Sequence, residues 1–206
     1  MQQDKSKETR KHVDIKPTSD YVSEHELTGE MWLGEYKLIE KIGEGKFGEV
    51  FKAEKEHGKR QFALKILKNN VNKRSLELFK REALLLKGLS HDSLPKFVEL
   101  KRSQFEEGFN ESYYLVMEFV EGKSLESIIN NETVSIDTAI RWGYELAQGL
   151  HYLHTKDIIH CDLKPSNIKI SWNSFKGRSV KILDFGISII RKEQNKDTIM
   201  GSLKYM

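Results

Sequence analysis

The chain is predicted to fold as an α+β protein with two lobes and a cleft between them, on three observations. Strand-like alternation of apolar residues fills the first part of the sequence, and helical periodicity follows it. The polar motifs with chemical potential lie where the two meet. Strands gathered ahead of helices segregate into separate layers, whereas a parallel sheet would need the two to alternate.

Residues 1–32 are charged and polar, and Val13, Ile15, Tyr21 and Val22 are too sparse to form a periodic face, so a flexible tail is expected there. From 33 onward a domain is expected, with a small lobe over about 33–120 and a larger, partial lobe over about 121–206. Alternation begins at Tyr36-Lys37-Leu38-Ile39-Glu40-Lys41-Ile42 and breaks at a run of glycines. It resumes through Val50, Phe51 and Ala53, and again through Phe62-Ala63-Leu64-Lys65-Ile66-Leu67, with a turn at His57-Gly58-Lys59. Between Lys73 and Leu89 the period becomes helical: Leu78, Leu86 and Leu89 lie near one stripe, with Leu76, Phe79 and Ala83 beside it. Two more strands are expected around Phe97 to Leu100 and at Tyr113-Tyr114-Leu115-Val116-Met117. Ser135 can cap a helix running to about His154, whose buried face would carry Ala139, Gly143, Leu146, Leu150 and Leu153. Ile168-Lys169-Ile170 and Val180-Lys181-Ile182-Leu183 read as a hairpin.

Composition narrows the function classes. With 206 residues and 38% apolar content the chain can bury one good core or two small ones. The net charge of +3 comes from 34 basic and 31 acidic residues spread along the chain, without a basic stripe interleaved with aromatics, so nucleic acid is not an expected partner. No run approaches the roughly 20 apolar residues of a spanning helix, and Met1 to Arg10 are polar where a signal peptide would be apolar. A soluble, cytoplasmic protein without a membrane segment is the expectation. Cys161 is the single cysteine, which excludes an internal disulfide and a zinc cluster.

The chemistry lies in His160-Cys161-Asp162-Leu163-Lys164-Pro165-Ser166-Asn167 and, beyond an apolar run, Asp184-Phe185-Gly186. Two carboxylates, an amide and a lysine are what magnesium-dependent phosphoryl transfer requires, because its catalysis is mostly positioning and charge neutralisation. Gly43-Glu44-Gly45-Lys46-Phe47-Gly48 would let backbone amides approach phosphate oxygens closely. Its strand-turn-strand setting favours a flap over phosphates above a dinucleotide fold, where a helix would follow; an ordinary hairpin turn is the alternative. Lys65 lies inside an apolar strand and Glu82 on the leucine-bearing stripe of the next helix. Each would be costly to bury alone, so each predicts a partner, and each can serve as the other's; otherwise Lys65 snorkels and Glu82 sits at the edge of its stripe.

Together these motifs resemble the protein kinase family, over about Leu33 to Met206. The resemblance implies ATP and Mg2+ as cofactors and roles for particular residues. Asp162 would orient the acceptor hydroxyl and take its proton, Lys164 would steady the γ-phosphate, and the Lys65–Glu82 pair would hold the α- and β-phosphates. Asn167 and Asp184 would hold magnesium. Ile42, Gly43, Glu44, Gly45 and Gly48 would form the flap, and Val50 and Ala63 the ceiling over adenine. Met117 resembles the gatekeeper, and the backbone of Glu118 and Val120 the hinge that pairs with the base. Leu86, Phe97, His160 and Phe185 match the stacked spine that joins the lobes, although all four would also serve as plain core. Lys-Pro-Ser after Asp162-Leu163 resembles the serine/threonine-directed pattern and implies a protein Ser or Thr acceptor.

Three departures from the family pattern carry expectations. Cys161 replaces the usual arginine, and a thiol cannot bridge an activation-loop phosphate, so activity is expected not to depend on phosphate at Thr198 or Ser202. Lys169 stands beneath the adenine ring where an apolar residue is common; its stem would cover the ring with the ammonium directed to water. The sequence ends at Gly201-Ser202-Leu203-Lys204-Tyr205-Met206, before the helices that complete the larger lobe in the family, so this chain alone is expected to be unstable and weakly active. Two other classes stay open: a nucleotide-binding scaffold without chemistry, and a small-molecule kinase, whose loop commonly has histidine in place of Lys164 and no proline after it.

Overall fold

The computed structural model of the chain describes residues 31–45, 48–56, 58, 60–68, 72–103, 112–173, 177–185 and 188–190. Six antiparallel strands form one sheet in the order β1-β2-β3-β4-β6-β5: β1 Met31–Leu33, β2 Tyr36–Glu44, β3 Gly48–Lys55, β4 Gln61–Leu67, β5 Phe97–Ser103 and β6 Ser112–Glu118. Met31 and Trp32 belong to this sheet through pairing with Leu38 and Lys37, so it begins two residues ahead of the expected boundary at 33. A two-residue turn folds β1 onto β2, with Gly34 in the left-handed region at φ 60°.

The pleat sorts the sheet's side chains onto two faces. Phe62, Leu64 and Ile66 of β4 join Tyr114 and Val116 of β6 in one apolar cluster with Leu33, Tyr36, Leu38, Phe51 and Ala53. Leu67 and Leu115 point the other way, toward α1 (Lys73–Lys87), and meet Phe79, Ala83 and Leu86. That second cluster continues through Leu94 into Leu153, Ile158, Ile182 and Phe185, so one core spans both lobes. Asn72 caps α1 by accepting a hydrogen bond from the Ser75 amide at 2.9 Å. The buried face of α1 is Phe79, Glu82, Ala83 and Leu86, offset from the expected leucine stripe because Leu78 is only half-buried.

The larger lobe holds β7 (Lys123–Ser124), α2 (Leu125–Asn131) and α3 (Ile136–Thr155), then β8 (Ile158–Ile159), β9 (Ile168–Asn173), β10 (Gly177–Ile182) and β11 (Ile189–Ile190). β10, β9 and β7 form a three-stranded sheet and β8 pairs with β11. Ser135 caps α3 as expected, its hydroxyl accepting from the Thr138 amide. The expected face of α3 holds in its later turns, where Leu153 is buried and Leu146 and Leu150 pack against the core, but not at its start, where Trp142 is buried and Ala139 and Gly143 are exposed; Gly149 is buried as well. Bulk and close approach explain the difference. Trp142 packs with Ile128, Ile168, Ile170 and Val180. At Gly149 a Cβ would lie 2.9 Å from Ile182 Cδ1 and 3.0 Å from Ser93 Cβ, so the absence of a side chain sets how closely α3 approaches β10.

Candidate active site

The sheet places one set of residues along the roof of the cleft. Cross-strand partners share a face, and the register pairs Lys65 with Val50 and Leu115, and Ala63 with Met117. Val50, Ala63, Lys65 and Met117 therefore lie on the face that meets α1, with Gly43 opposite Val50 across the β2–β3 hairpin. Ile42 falls at the register shift between Lys41 and Gly43, where it is 40% exposed. Of the glycines in the hairpin, Gly48 is demanded by the fold, because a Cβ there would lie 2.4 Å from the Ile66 carbonyl oxygen. Gly43 and Gly45 are not: an added Cβ would meet nothing closer than 3.8 Å. The Gly45 amide closes the turn by donating to the Gly48 carbonyl at 2.8 Å. The Glu44 carboxylate is engaged by Lys41 and Lys68, whose hydrogen bonds hold its pKa down to about 2.

Lys65 and Glu82, expected to be partners, are. Lys65 Nζ lies 2.7 Å from both Glu82 carboxylate oxygens and 3.1 Å from Asp184 Oδ1. The two residues are 6% and 4% exposed, so water does little to solvate either charge. Burial by itself would push the ammonium down, but the Glu82 and Asp184 carboxylates override it and hold Lys65 protonated above the ordinary lysine range. Burial pushes the Glu82 carboxyl up, against the pull of Lys65. Two oxygens equally close to one ammonium give the contact bidentate geometry.

The floor of the cleft is the loop between β8 and β9. Lys164 Nζ donates to Asp162 Oδ2 at 2.8 Å, while Asn167 Nδ2 donates to the Asp162 carbonyl at 2.9 Å and to Oδ2 at 3.0 Å. A short 3-10 turn, Pro165–Asn167, brings Asn167 back to Asp162, and proline at its start needs no amide donor. This use of the amide nitrogen turns the Asn167 side-chain oxygen away from Asp162. The Leu183 amide then donates to the Asn167 carbonyl at 2.8 Å, joining the loop to the Asp184 turn. Asp184 is held at φ 60° and Cys161 at φ 63°, a backbone region that costs a non-glycine residue energy.

His160 fastens this arrangement from beneath. Its Nε2 donates to the Leu183 carbonyl at 2.9 Å, its Nδ1 accepts from the Asp162 amide at 3.3 Å, and its carbonyl accepts from Ser188 Oγ at 3.2 Å. That bonding is complete only for a neutral imidazole, and burial lowers the His160 pKa below the ordinary histidine value. The His160 and Phe185 rings sit 5.3 Å apart, and Leu86, Phe97 and Phe185 share the core that crosses the lobes. Cys161 Sγ is directed to the Ile159 carbonyl at 3.5 Å. Gly186, Thr198 and Ser202 lie outside the described residues.

Two lysines of the β9–β10 hairpin have partners that the sequence does not indicate. The ammonium of Lys169 is turned to the Val120 carbonyl at 2.9 Å rather than to water, and the pairing of β9 with β7, Ser124 opposite Lys169, brings the strand near that carbonyl. Lys181 received no role from the sequence, yet it bonds Glu118 Oε1 at 3.0 Å and the Leu94 carbonyl at 3.0 Å. The alternation Val180-Lys181-Ile182 marks Lys181 as facing away from its apolar neighbours, but not toward what. The Glu118 side chain is thus an anchor, also accepting from the Lys96 amide at 2.9 Å.

Most of the chain is similar to known proteins. A family model described as the protein kinase domain matches residues 36–206. Serine/threonine-protein kinase pkn2 of Myxococcus xanthus is 36% identical over 157 residues, covering 75% of this chain and 18% of that protein. Probable serine/threonine-protein kinase PknB of Lactococcus lactis is 31% identical over 185 residues, covering 86% of this chain and 28% of that protein. Serine/threonine-protein kinase ULK3 of Rattus norvegicus is 33% identical over 188 residues, covering 87% of this chain and 38% of that protein. The chain spans well under half the length of these relatives. A domain match running almost from the first strand to the last residue, over a fold and a motif order that agree with it, shows that the chain belongs to the protein kinase family.

Proposed function

We propose that this chain binds Mg-ATP in the cleft and transfers its γ-phosphoryl group to a serine or threonine hydroxyl of a protein. One observation supports this best: Lys65 joins the buried Glu82 in the roof to Asp184 at the floor, while Asp162, Lys164 and Asn167 converge within hydrogen-bond distance of one another. In this reading the Lys65 ammonium, fixed by Glu82, binds the α- and β-phosphate oxygens, and Lys164 neutralises charge on the γ-phosphoryl oxygens. Asp162 orients the acceptor hydroxyl and receives its proton. Gly43 and Gly45, which the fold itself does not require to be glycine, let the hairpin amides approach the phosphates. Val50 and Ala63 cover the base, Met117 backs it, and the 118–120 backbone meets its edge.

Among the described residues no group of three or more His, Cys, Asp or Glu could hold a metal ion unaided. The Asp184 carboxylate and the Asn167 amide oxygen are hard oxygen donors of the kind magnesium takes, with water and phosphate oxygens completing its shell. Bound there, magnesium would supply charge neutralisation on the phosphates.

The domain is read as running from the first sheet strand to residue 206, preceded by a polar tail, and the protein as cytoplasmic. No helix among the described residues is long and apolar enough to cross a membrane. The test is transfer of radiolabelled γ-phosphate from ATP to a serine-rich acceptor protein, with phosphoamino-acid analysis of the product. Labelled phosphoserine or phosphothreonine that disappears in Asp162→Asn supports the reading. Transfer unchanged in that variant would overturn it.

A further inference from the structure

Lys169 on β9 and Lys181 on β10 stand directly opposite each other in the hairpin register. Like charges facing each other across two strands destabilise a sheet, so each ammonium needs an acceptor elsewhere. Both find one on the same three-residue segment, Glu118-Phe119-Val120. Lys181 Nζ donates to the two Glu118 carboxylate oxygens at 3.0 and 3.2 Å and to the Leu94 carbonyl at 3.0 Å. Lys169 Nζ donates to the Val120 carbonyl at 2.9 Å and lies 5.5 Å from the centroid of the Phe119 ring. The ends of the same hairpin lead to the other side of the cleft. β9 starts directly after Asn167, and β10 ends two residues before Asp184.

We propose that Lys169 and Lys181 form a two-point clamp that fixes residues 118–120 against the hairpin carrying Asn167 and Asp184, and so position the base end of the nucleotide relative to its phosphate end. The clamp rests on the nucleotide-site reading above and adds to it two positioning residues that touch the protein, not the reacting atoms. An apolar side chain at 169 would cover a base without the desolvation that burial imposes on this ammonium. What the lysine adds is its bond to Val120. Its partner Lys181 has a side chain only 11% exposed, so its bonds to Glu118 and Leu94 are sheltered from competing water.

The clamp predicts an effect confined to the base. Equilibrium binding of Mg-ATP and of magnesium tripolyphosphate, which lacks the base, is measured for the full chain and for Lys169→Met, Lys169→Arg and Lys181→Met, each checked for a cooperative melt. Lys169→Met and Lys181→Met are each expected to weaken ATP about 5- to 20-fold, through the loss of one hydrogen bond from Lys169 and three from Lys181. Tripolyphosphate affinity should stay within about twofold, and Lys169→Arg should recover most of the ATP affinity, since it restores a cation that can reach a carbonyl. ATP affinity unchanged in Lys169→Met, or an equal loss for ATP and tripolyphosphate, would overturn the clamp. Lys169 is half-buried and at the surface of its sheet, so this variant decides the matter even if Lys181→Met does not fold. A wild-type chain that binds tripolyphosphate but gains nothing from the adenosine would overturn the base-site reading and the clamp with it.

Discussion

The two charged clusters that face the cleft are built on opposite principles. In the roof, Lys65 and Glu82 are almost wholly buried on a strand and a helix, and each is the other's main compensation. At the floor, Asp162, Lys164 and Asn167 sit on a loop whose backbone is pinned by His160, Leu183 and Ser188; the Asp162 side chain is 11% exposed, but that of Lys164 stays 25% exposed. A buried pair gains strength from low dielectric but leaves a costly orphan if one member is lost. A cluster on a loop with one partly open member contributes less to stability than a fully buried pair and leaves that member accessible to a substrate. The roof should therefore be a structural element that also binds, and the floor a chemical element the fold can spare.

The largest expected effect separates chemistry from stability. Asp162→Asn keeps the hydrogen-bond geometry and removes the proton acceptor, so phosphoryl transfer should fall by about 10²- to 10⁴-fold, with a melting temperature within a few degrees of wild type. A large loss of stability would erase the contrast. Glu82→Ala should do the reverse, costing up to about 3–5 kcal/mol in denaturant unfolding because it leaves a buried ammonium with only Asp184 as carboxylate partner. If Lys164→Ala, which on this account costs under about 1 kcal/mol, proved equally destabilising, floor and roof would not differ in kind.

Glycines sharpen the same division. Gly48→Ala would place a Cβ 2.4 Å from the Ile66 carbonyl oxygen, and the strain should cost about 1–3 kcal/mol of stability. Gly45→Ala meets nothing closer than 3.8 Å and should leave stability within about 0.5 kcal/mol while weakening ATP binding. Equal stability losses at the two positions would refute a separate, ligand-directed reason for glycine at 45.

The smallest effect is a pH dependence. Burial keeps the His160 pKa below its unfolded value of about 6.5, so above that pH both states are neutral and its contribution is complete. As pH falls below about 6.5 the unfolded chain takes up the proton first, and stability declines by at most about 1.4 kcal/mol per pH unit. Urea midpoints at pH 7.5 and 5.5 should show a larger drop for wild type than for His160→Phe. An equal drop would mean that His160 is not held neutral.

Much of this arrangement was legible in the sequence because it is periodic or local. Strands β2 to β4 and β6 announced themselves by alternation, and Ser135 marked the start of α3. The motif residues fell at spacings that one loop and one turn could bring together. Short pairings were not legible: β1, β7, β8 and β11 have two or three residues each, too few to show a period. Aliphatic spacing finds Leu146, Leu150 and Leu153 on the buried face of α3 but not Trp142 or Gly149, whose burial depends on bulk and on close approach to β10. The acceptors of Lys169 and Lys181 could not be read at all, since they depend on how near the hairpin comes to residues 118–120.

The central claim is that roof and floor together make one magnesium-dependent nucleotide site, and isothermal titration of the chain with ATP, with and without Mg2+, tests it most directly. Binding should require Mg2+ and should be lost in both Lys65→Met, from the roof, and Asp184→Asn, from the floor. Binding that ignores Mg2+ and survives both substitutions would contradict it.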